Sequence, residues 1–294
     1  MSIRPAVIVF DVNETLSDMS VMGGRFAETG APSFLAKVWF TGVLRDGFAL
    51  AAAGDRARFA EIAADLLRVS LAGLPLNRSV EAAVVHIMSG LAELALHPDV
   101  VGGVWELNAA GFRLVTLSNG SPQVAEKLLG DAGIRGVFEA LLSVEDGPSW
   151  KPVATAYTRA ARTCSVEPEQ MLLVAVHPWD IHGAARAGMR TAWINRADAP
   201  YPAYFTPPEI TLGSLRELAP FLENSLGTAP VPGHTAAPAA PKAKGTDRAT
   251  RHPDTAAETH PTEGFPTIAA GPAEEEDRRE HDDRGLTTDT GSSD

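Results

Sequence analysis

Val7 to Phe10 form an apolar run rich in β-branched side chains, and comparable runs recur as FRLVTLS (112–118), MLLVAV (171–176) and RTAWIN (190–195). Short runs without regular polar alternation are the pattern of parallel strands buried on both faces. FEALLSV (138–144) predicts one more strand. Helical periodicity lies between the runs. SPQVAEKLLGDAGI opens with Ser121 and Pro122 in cap and first-turn positions, KPVATAYTRAARTC begins at Lys151, and DIHGAARAGM begins at Asp180. Strand alternating with helix predicts an α/β fold with a doubly wound parallel, Rossmann-like sheet.

Residues 18–95 break this rhythm. SFLAKVWFTGVLRDGFALAAA, DRARFAEIAADLLRVSLAGL and SVEAAVVHIMSGLAELAL are three amphipathic helical stretches with no strand pattern between them. The expected layout is a core from residues 1–17 plus 96–224, an inserted all-helical cap at 18–95, and a tail at 225–294. In open α/β sheets the ligand crevice lies beyond the carboxyl ends of the strands. The insert leaves from that end, so it is expected to cover the crevice as a lid.

Composition sets the tail apart. From Ser225 it carries eight prolines, a single aromatic residue (Phe265) and few large aliphatics, too little burial to offset the entropy of ordering, and it reads as disordered. It holds 13 acidic and 7 basic residues, which is −6 of the net −12, leaving −6 for the rest of the chain. Neither part has the basic footprint of a nucleic-acid or anionic-membrane binder. The acidic run EEEDRREHDD (274–283) reads as solvated chain. No apolar run reaches the ~18 residues of a membrane helix, and the N-terminus lacks a cleavage-site pattern, so a soluble, cytoplasmic protein is expected. The single cysteine, Cys164, excludes an intrachain disulfide and a cysteine-built metal cluster, and it reads as a structural thiol.

Candidate chemistry gathers where the predicted strands stop: Asp11 to Thr15, Ser118-Asn119-Gly120, Lys151-Pro152 and His177 to Asp180. One acid or hydroxyl after a strand is commonly a helix cap. Four such features at successive strand ends converge on one cleft in a doubly wound sheet, and together they supply a nucleophile, a hydroxyl, a cation and a second acid.

The order of FDVNET, TLSNGS, WKPVATAY and HPWDIHGAARAGMRTAWINR resembles the haloacid dehalogenase-like superfamily, and within it the L-2-haloacid dehalogenases (haloacid dehalogenase type II), over roughly residues 5 to 222. The resemblance implies hydrolytic dehalogenation of short 2-haloalkanoic acids. Asp11 would attack the halogen-bearing carbon, and water would then hydrolyse the resulting aspartyl ester. The implied catalytic set is Asp11, Thr15, Ser118, Lys151 and Asp180. Lys151 keeps Asp11 ionised, Thr15 and Ser118 donate to Asp11 or to the substrate carboxylate, free N–H groups after Ser118 seat an anion, and Asp180 holds Lys151 and orients the water. Asn13, Phe40, Arg45, Phe59, Asn119, Tyr157, His177 and Trp179 are the expected substrate contacts. No cofactor is implied. The expected partner is a small 2-halocarboxylate, and the resemblance is compatible with a homodimer.

Phosphatases of the superfamily carry a second aspartate two residues after the nucleophile to protonate the leaving alkoxide, a proton that halide does not need. Asn13 cannot titrate, so the acid is absent whether the asparagine serves chemistry or a tight turn. Metal-dependent relatives gather extra carboxylates near the last aspartate to hold Mg²⁺, whereas AVHPWD offers one. Metal-free chemistry is expected. The alternatives are a Mg²⁺-dependent phosphatase with Asp11 and Asp180 as ligands, and a catalytically weak binding module that recruits a partner through the acidic tail.

Two departures stand out. Relatives carry an arginine just after a tryptophan on the first cap helix to receive the halide; here Trp39 is followed by Phe40, and the nearest basic residue downstream is Arg45. Five residues is about 500° around a helix, roughly 140° from position 40, so Arg45 substitutes only if the helix shifts. Relatives also have small polar residues where this chain has Ala175 and His177. His177 is either a donor to substrate, halide or water, or a wall imidazole bonded to backbone. Phe59, Trp179 and Phe40 are expected to wall the pocket. His86, His97 and His182 form no ligand pattern, and Gly23-Gly24 lacks the strand-to-helix context of a phosphate loop.

Overall fold

The computed structural model describes residues 4–227; the tail expected to be disordered lies outside the described residues apart from its first three positions. Six parallel strands form one sheet: β1 Val7–Phe10, β2 Arg113–Ser118, β3 Ala140–Ser143, β4 Met171–Ala175, β5 Arg190–Ile194 and β6 Ile210–Leu212, in the order β3-β2-β1-β4-β5-β6. Phe10 is level with Thr116 on one side and Val174 on the other. The chain therefore builds outward from β1 in one direction, then returns to β1 and builds in the other, and the switch leaves a crevice at the ends of β1 and β4.

The unbroken apolar runs follow from burial on both faces. Ile8, Phe10, Leu172, Val174 and Ile194 point to one side, where they pack with Val100, Val104 and Leu107 of α5 (Val100–Ala109) and with Leu218 and Leu222 of α9 (Leu218–Gly227). Val7, Val9, Leu117, Leu173 and Ala175 point to the other, against Tyr157 and Ala160 of α7 (Ala154–Thr163) and Ile181 and Ala184 of α8 (Pro178–Arg186). α6 (Pro122–Asp131) follows β2.

Four helices, not three, make up the insert: α1 Met22–Ala27, α2 Leu35–Ala53, α3 Phe59–Leu71 and α4 Val80–Ala92. α1 escapes a periodicity reading because it is six residues long and contains two glycines. Met22, Phe26, Trp39, Leu67, Leu71 and Ile87 form an apolar cluster in this cap that continues into Val144, Trp150 and Ala156 beside the sheet. Trp39 Nε1 donates to Ala63 O at 2.9 Å and ties α2 to α3. Gly54, with φ 84°, ends α2 in the left-handed conformation that a side chain would resist. The chain leaves and re-enters the sheet at one place. Ser17 bridges Leu96 antiparallel, Asp18 N–H donates to Ala95 O at 2.8 Å, and His97 N–H donates to Leu16 O at 2.9 Å.

Other departures from the sequence reading are local. α7 starts at Ala154 rather than Lys151, because Pro152 and an extended Val153 precede it, and α8 starts at Pro178, its first-turn proline, two residues before Asp180. α5 and β6 were not foreseen. α5 carries Gly102-Gly103, and a Cβ on Gly103 would meet Leu215 at 2.8 Å, so the glycine that blurs the helical pattern also permits the packing. β6 is three residues long with an exposed middle position. Among the described residues no helix is long and apolar enough to cross a membrane.

Candidate active site

Asp11 is the first residue past β1, and its N–H continues the ladder by donating to Val174 O at 3.1 Å. The turn that follows brings Thr15 back over it. Thr15 Oγ1 donates to Asp11 Oδ2 at 2.7 Å and accepts from Val176 N–H at 3.1 Å, so one hydroxyl joins the end of β1 to the end of β4.

Lys151 reaches the same point from the loop before α7. Its Nζ lies 2.9 Å from Asp11 Oδ1 and 2.6 Å from Asp180 Oδ2, with Lys151 and Asp180 fully buried. Its backbone is clamped from both sides: Lys151 N–H donates to Asn119 Oδ1 at 2.9 Å, and Asn119 Nδ2 donates to Lys151 O at 3.3 Å. Tyr157, one turn along α7, donates its hydroxyl to Asp180 Oδ1 at 2.6 Å.

A second cation stands on the other side of Asp11. His177 Nδ1 lies 3.2 Å from Asp11 Oδ2 and Nε2 lies 2.8 Å from Glu14 Oε2. Both partners are carboxylates, which only accept, so both ring nitrogens donate and the ring is an imidazolium. Burial works against that charge, but Asp11 and Glu14 outweigh it and raise the pKa to about 9.

The same geometry separates the two aspartates. Burial opposes an ionised Asp11, yet Lys151 and His177 together hold its carboxyl well below the usual carboxylate range. Burial drives Asp180 upward against the pull of Lys151, and the nearby Asp11 charge adds to the rise. Burial alone would neutralise Lys151; the two aspartates reverse this and raise its pKa. The two neighbouring carboxyls are thus pushed apart, Asp11 toward its anion and Asp180 toward its protonated form.

Aromatic rings wall the site. His177 stacks on Trp179 with centroids 5.0 Å apart, Trp179 meets Phe48 edge-on at 4.9 Å, Phe40 lies 6.2 Å from Phe59, and Phe59 stacks on Trp150 at 6.0 Å. A cleft of about 690 Å³ runs between cap and sheet, lined by Met22, Lys37, Phe40, His97 and Arg196 among others, and His177 and Glu14 belong to the same lining.

A family model for haloacid dehalogenase-like hydrolases matches residues 5–188, which is more than half of the chain. The chain belongs to the haloacid dehalogenase-like hydrolases. Within that family it is similar to haloacetate dehalogenase H-2 of Moraxella sp. (strain B), 29% identical over 64% of this chain and 85% of that protein. It is equally similar to (S)-2-haloacid dehalogenase of Pseudomonas sp. (strain YL), 29% identical over 76% of this chain and 96% of the relative. A solved L-2-haloacid dehalogenase superposes with a TM-score of 0.69 at 28% identity, covering 75% of this chain and all of that one.

As a haloacid dehalogenase-like hydrolase, the chain brings Asp11, Thr15, Lys151, Tyr157, Asp180 and His177 into one buried cluster, with Phe40, Phe59 and Trp179 around it. The arrangement does not suit Mg²⁺. The space between the two aspartates is taken by the Lys151 ammonium, and among the described residues no group of three or more His, Cys, Asp or Glu side chains is disposed around a common centre.

One expectation is corrected and one narrowed. Arg45 is not at the site: its side chain is exposed and pairs with Asp46 at 2.7 Å, because α2 runs without the shift that would turn it inward. Ser118 has no hydrogen bond to Asp11, which leaves the substrate carboxylate as the expected acceptor; its Oγ accepts from Gly120 N–H at 2.9 Å, which removes one of the N–H groups expected to stay free. Asn13 lies beside it, its Nδ2 3.6 Å from where a Gly120 side chain would begin. Cys164 is buried, and burial pushes its thiol pKa up.

The sequence reading gave no role to Glu14, Trp150, Phe48 or His97. Glu14 sat inside the quoted FDVNET with nothing to separate it from turn polarity; its spacing of three from Asp11 was the only available signal. His97 Nε2 donates to Glu14 O at 3.0 Å and holds that turn from behind.

Proposed function

We propose that this protein hydrolyses the carbon–halogen bond of short 2-haloalkanoic acids through an ester on Asp11. The observation that carries the reading is the pairing of a buried, ionised Asp11 with a neighbouring Asp180 of raised pKa across one shared Lys151. The dehalogenase names of the two relatives support the substrate class.

In this reading Asp11 Oδ1, which accepts only from Lys151, forms a bond to C2 as the carbon–halogen bond breaks, and halide departs with the bonding pair. Water then attacks the Asp11 carbonyl carbon. Asp180 takes one proton of the water as its oxygen bonds to that carbon, the acyl–oxygen bond of the ester breaks with its electron pair going to the alkoxide oxygen, and Asp180 returns the proton to that oxygen; the 2-hydroxy acid leaves, and Asp11 gives up the second water proton to solvent and returns to its carboxylate. Lys151 holds both carboxylates at working distance throughout, and Tyr157 aims Asp180. Asn13 offers no proton, and none is required by a halide. The chemistry runs without a metal. Residues 18–95 serve as the lid over a core of 1–17 plus 96–224. A cytoplasmic setting and a homodimer complete the reading, on the strength of the sequence resemblance.

Incubation with 2-chloropropionate or a haloacetate is expected to release halide, and Asp11→Asn to abolish it. A single turnover in heavy-oxygen water is expected to label Asp11. Absence of halide from every small haloacid tried would overturn the activity.

A further inference from the structure

His177 and Glu14 line the cleft, whereas Asp11, 3% exposed, does not. His177 bonds both carboxylates, so a carboxylic acid substrate in the cleft is an anion beside an ion pair that is one contact away from Asp11.

Such an anion needs a cation to settle on. Lys151 is fully buried, with Asp11 and Asp180 already against its ammonium. His177 is the cation that both touches Asp11 and lines the cleft. Its neighbours leave one donor in play. Nδ1–H is committed to Asp11 on the buried side, Trp179 covers one ring face, and Phe40 of α2 stands 6.4 Å away without adding charge. Lys37, also on α2, borders the cleft, as does His97, whose Nε2 donates to the Glu14 carbonyl. Nε2–H is capped by Glu14, whose side chain is 41% exposed against 11% for His177. The Glu14 carboxylate is therefore the solvent-facing half of the pair, reachable from the cleft while the ring stays buried.

The backbone points the same way. Glu14 has φ 59°, one of three non-glycine residues among those described with positive φ, and it lies three residues after the nucleophile. Left-handed backbone at a residue with a side chain costs about 1–2 kcal/mol and persists where the surroundings demand it. Here it delivers a carboxylate to His177 Nε2.

We propose that Glu14 is an exchangeable guard: its carboxylate occupies the anion seat at His177 Nε2, and the carboxylate of an incoming small monocarboxylic acid displaces it. The substrate class rests on the haloacid reading, whereas the seat itself does not require turnover. Glu14 is therefore a specificity residue that sets how tightly anions bind.

Propionate, which has the carboxylate but no halogen to lose, is the probe. Its dissociation constant is to be measured by titration calorimetry on the full chain at about pH 6, on the acid side of the His177 pKa of about 9. Glu14→Gln is expected to tighten propionate roughly fivefold to tenfold by removing the competitor, and His177→Gln to weaken it by about tenfold or more. Glu14→Gly, which also relieves the positive φ, is expected to match Glu14→Gln. Unchanged or weaker binding in both Glu14 variants, or wild-type binding in His177→Gln, would overturn the guard. If propionate follows the expected pattern while the wild type releases no halide, the seat stands and the haloacid reading falls. If halide is released and the Glu14 variants bind propionate as the wild type does, the reverse holds.

Discussion

Lys151 and Asp11 are 140 residues apart in the chain and 2.9 Å apart in space, joined inside a site from which water is almost excluded. Two carboxylates depend on that one ammonium. Lys151→Met would leave both buried without their cation, a loss of about 3–5 kcal/mol. It would also release Asp11 from the pull that keeps it ionised. The variant is expected to unfold at distinctly lower urea concentration and to release no measurable halide.

The His177 charge gives stability a direction with pH. Its folded pKa of about 9 is raised above the ordinary 6.5, so its contribution is complete below 6.5 and is lost as pH rises through about 9. The stability gap between wild type and His177→Gln is expected to be on the order of 3 kcal/mol wider near pH 6 than near pH 10. Denaturant titrations at a series of pH values read this directly. A gap that stays constant would mean that His177 carries no charge in the folded protein.

Tyr157 bonds a buried carboxylate, an interaction worth ~1.5–3 kcal/mol. Tyr157→Phe is expected to cost that much stability and to let Asp180 rise further. With the binding surfaces untouched, kcat should fall while KM stays near wild type; a change confined to KM would contradict this. Gly183→Ala acts on the same contact, since its Cβ would come within 2.6 Å of both the Tyr157 hydroxyl and Pro152 Cβ. Its kinetics should shift in the same direction.

Arg45→Ala is expected to leave melting temperature, KM and kcat at wild-type values, because Arg45 lies outside on α2. Phe40→Ala on the same helix should behave oppositely. Phe40 is buried against Phe59 and beside His177, and its removal is expected to cost about 3–5 kcal/mol. Thermal melts of the two variants side by side decide the matter.

The sheet was legible because burial on two faces leaves an unmistakable trace, as in Val7–Phe10, where alternate side chains enter different cores. The meeting of Asp11, Lys151 and Asp180 was legible for a topological reason: each follows a strand, and the doubly wound order brings those ends together. α1 was not legible because it is six residues long with two glycines, and α5 because the glycines that allow its close packing also erase helical periodicity. Arg45 was named for its charge, but helix phase decides where a side chain points. Glu14 was passed over because an acidic residue in a turn looks like solvated loop. Only the fold sets it against His177.

The two crossings between sheet and cap are pinned together at Ser17 and Leu96. An excursion of nearly eighty residues thus begins and ends at one spot, and the sheet meets it as it would a tight loop. The footing is narrow in the chain but not in space: Gly47 of α2 lies directly against Trp150, the residue before Lys151, so the far end of the excursion bears on the cation that holds the two aspartates.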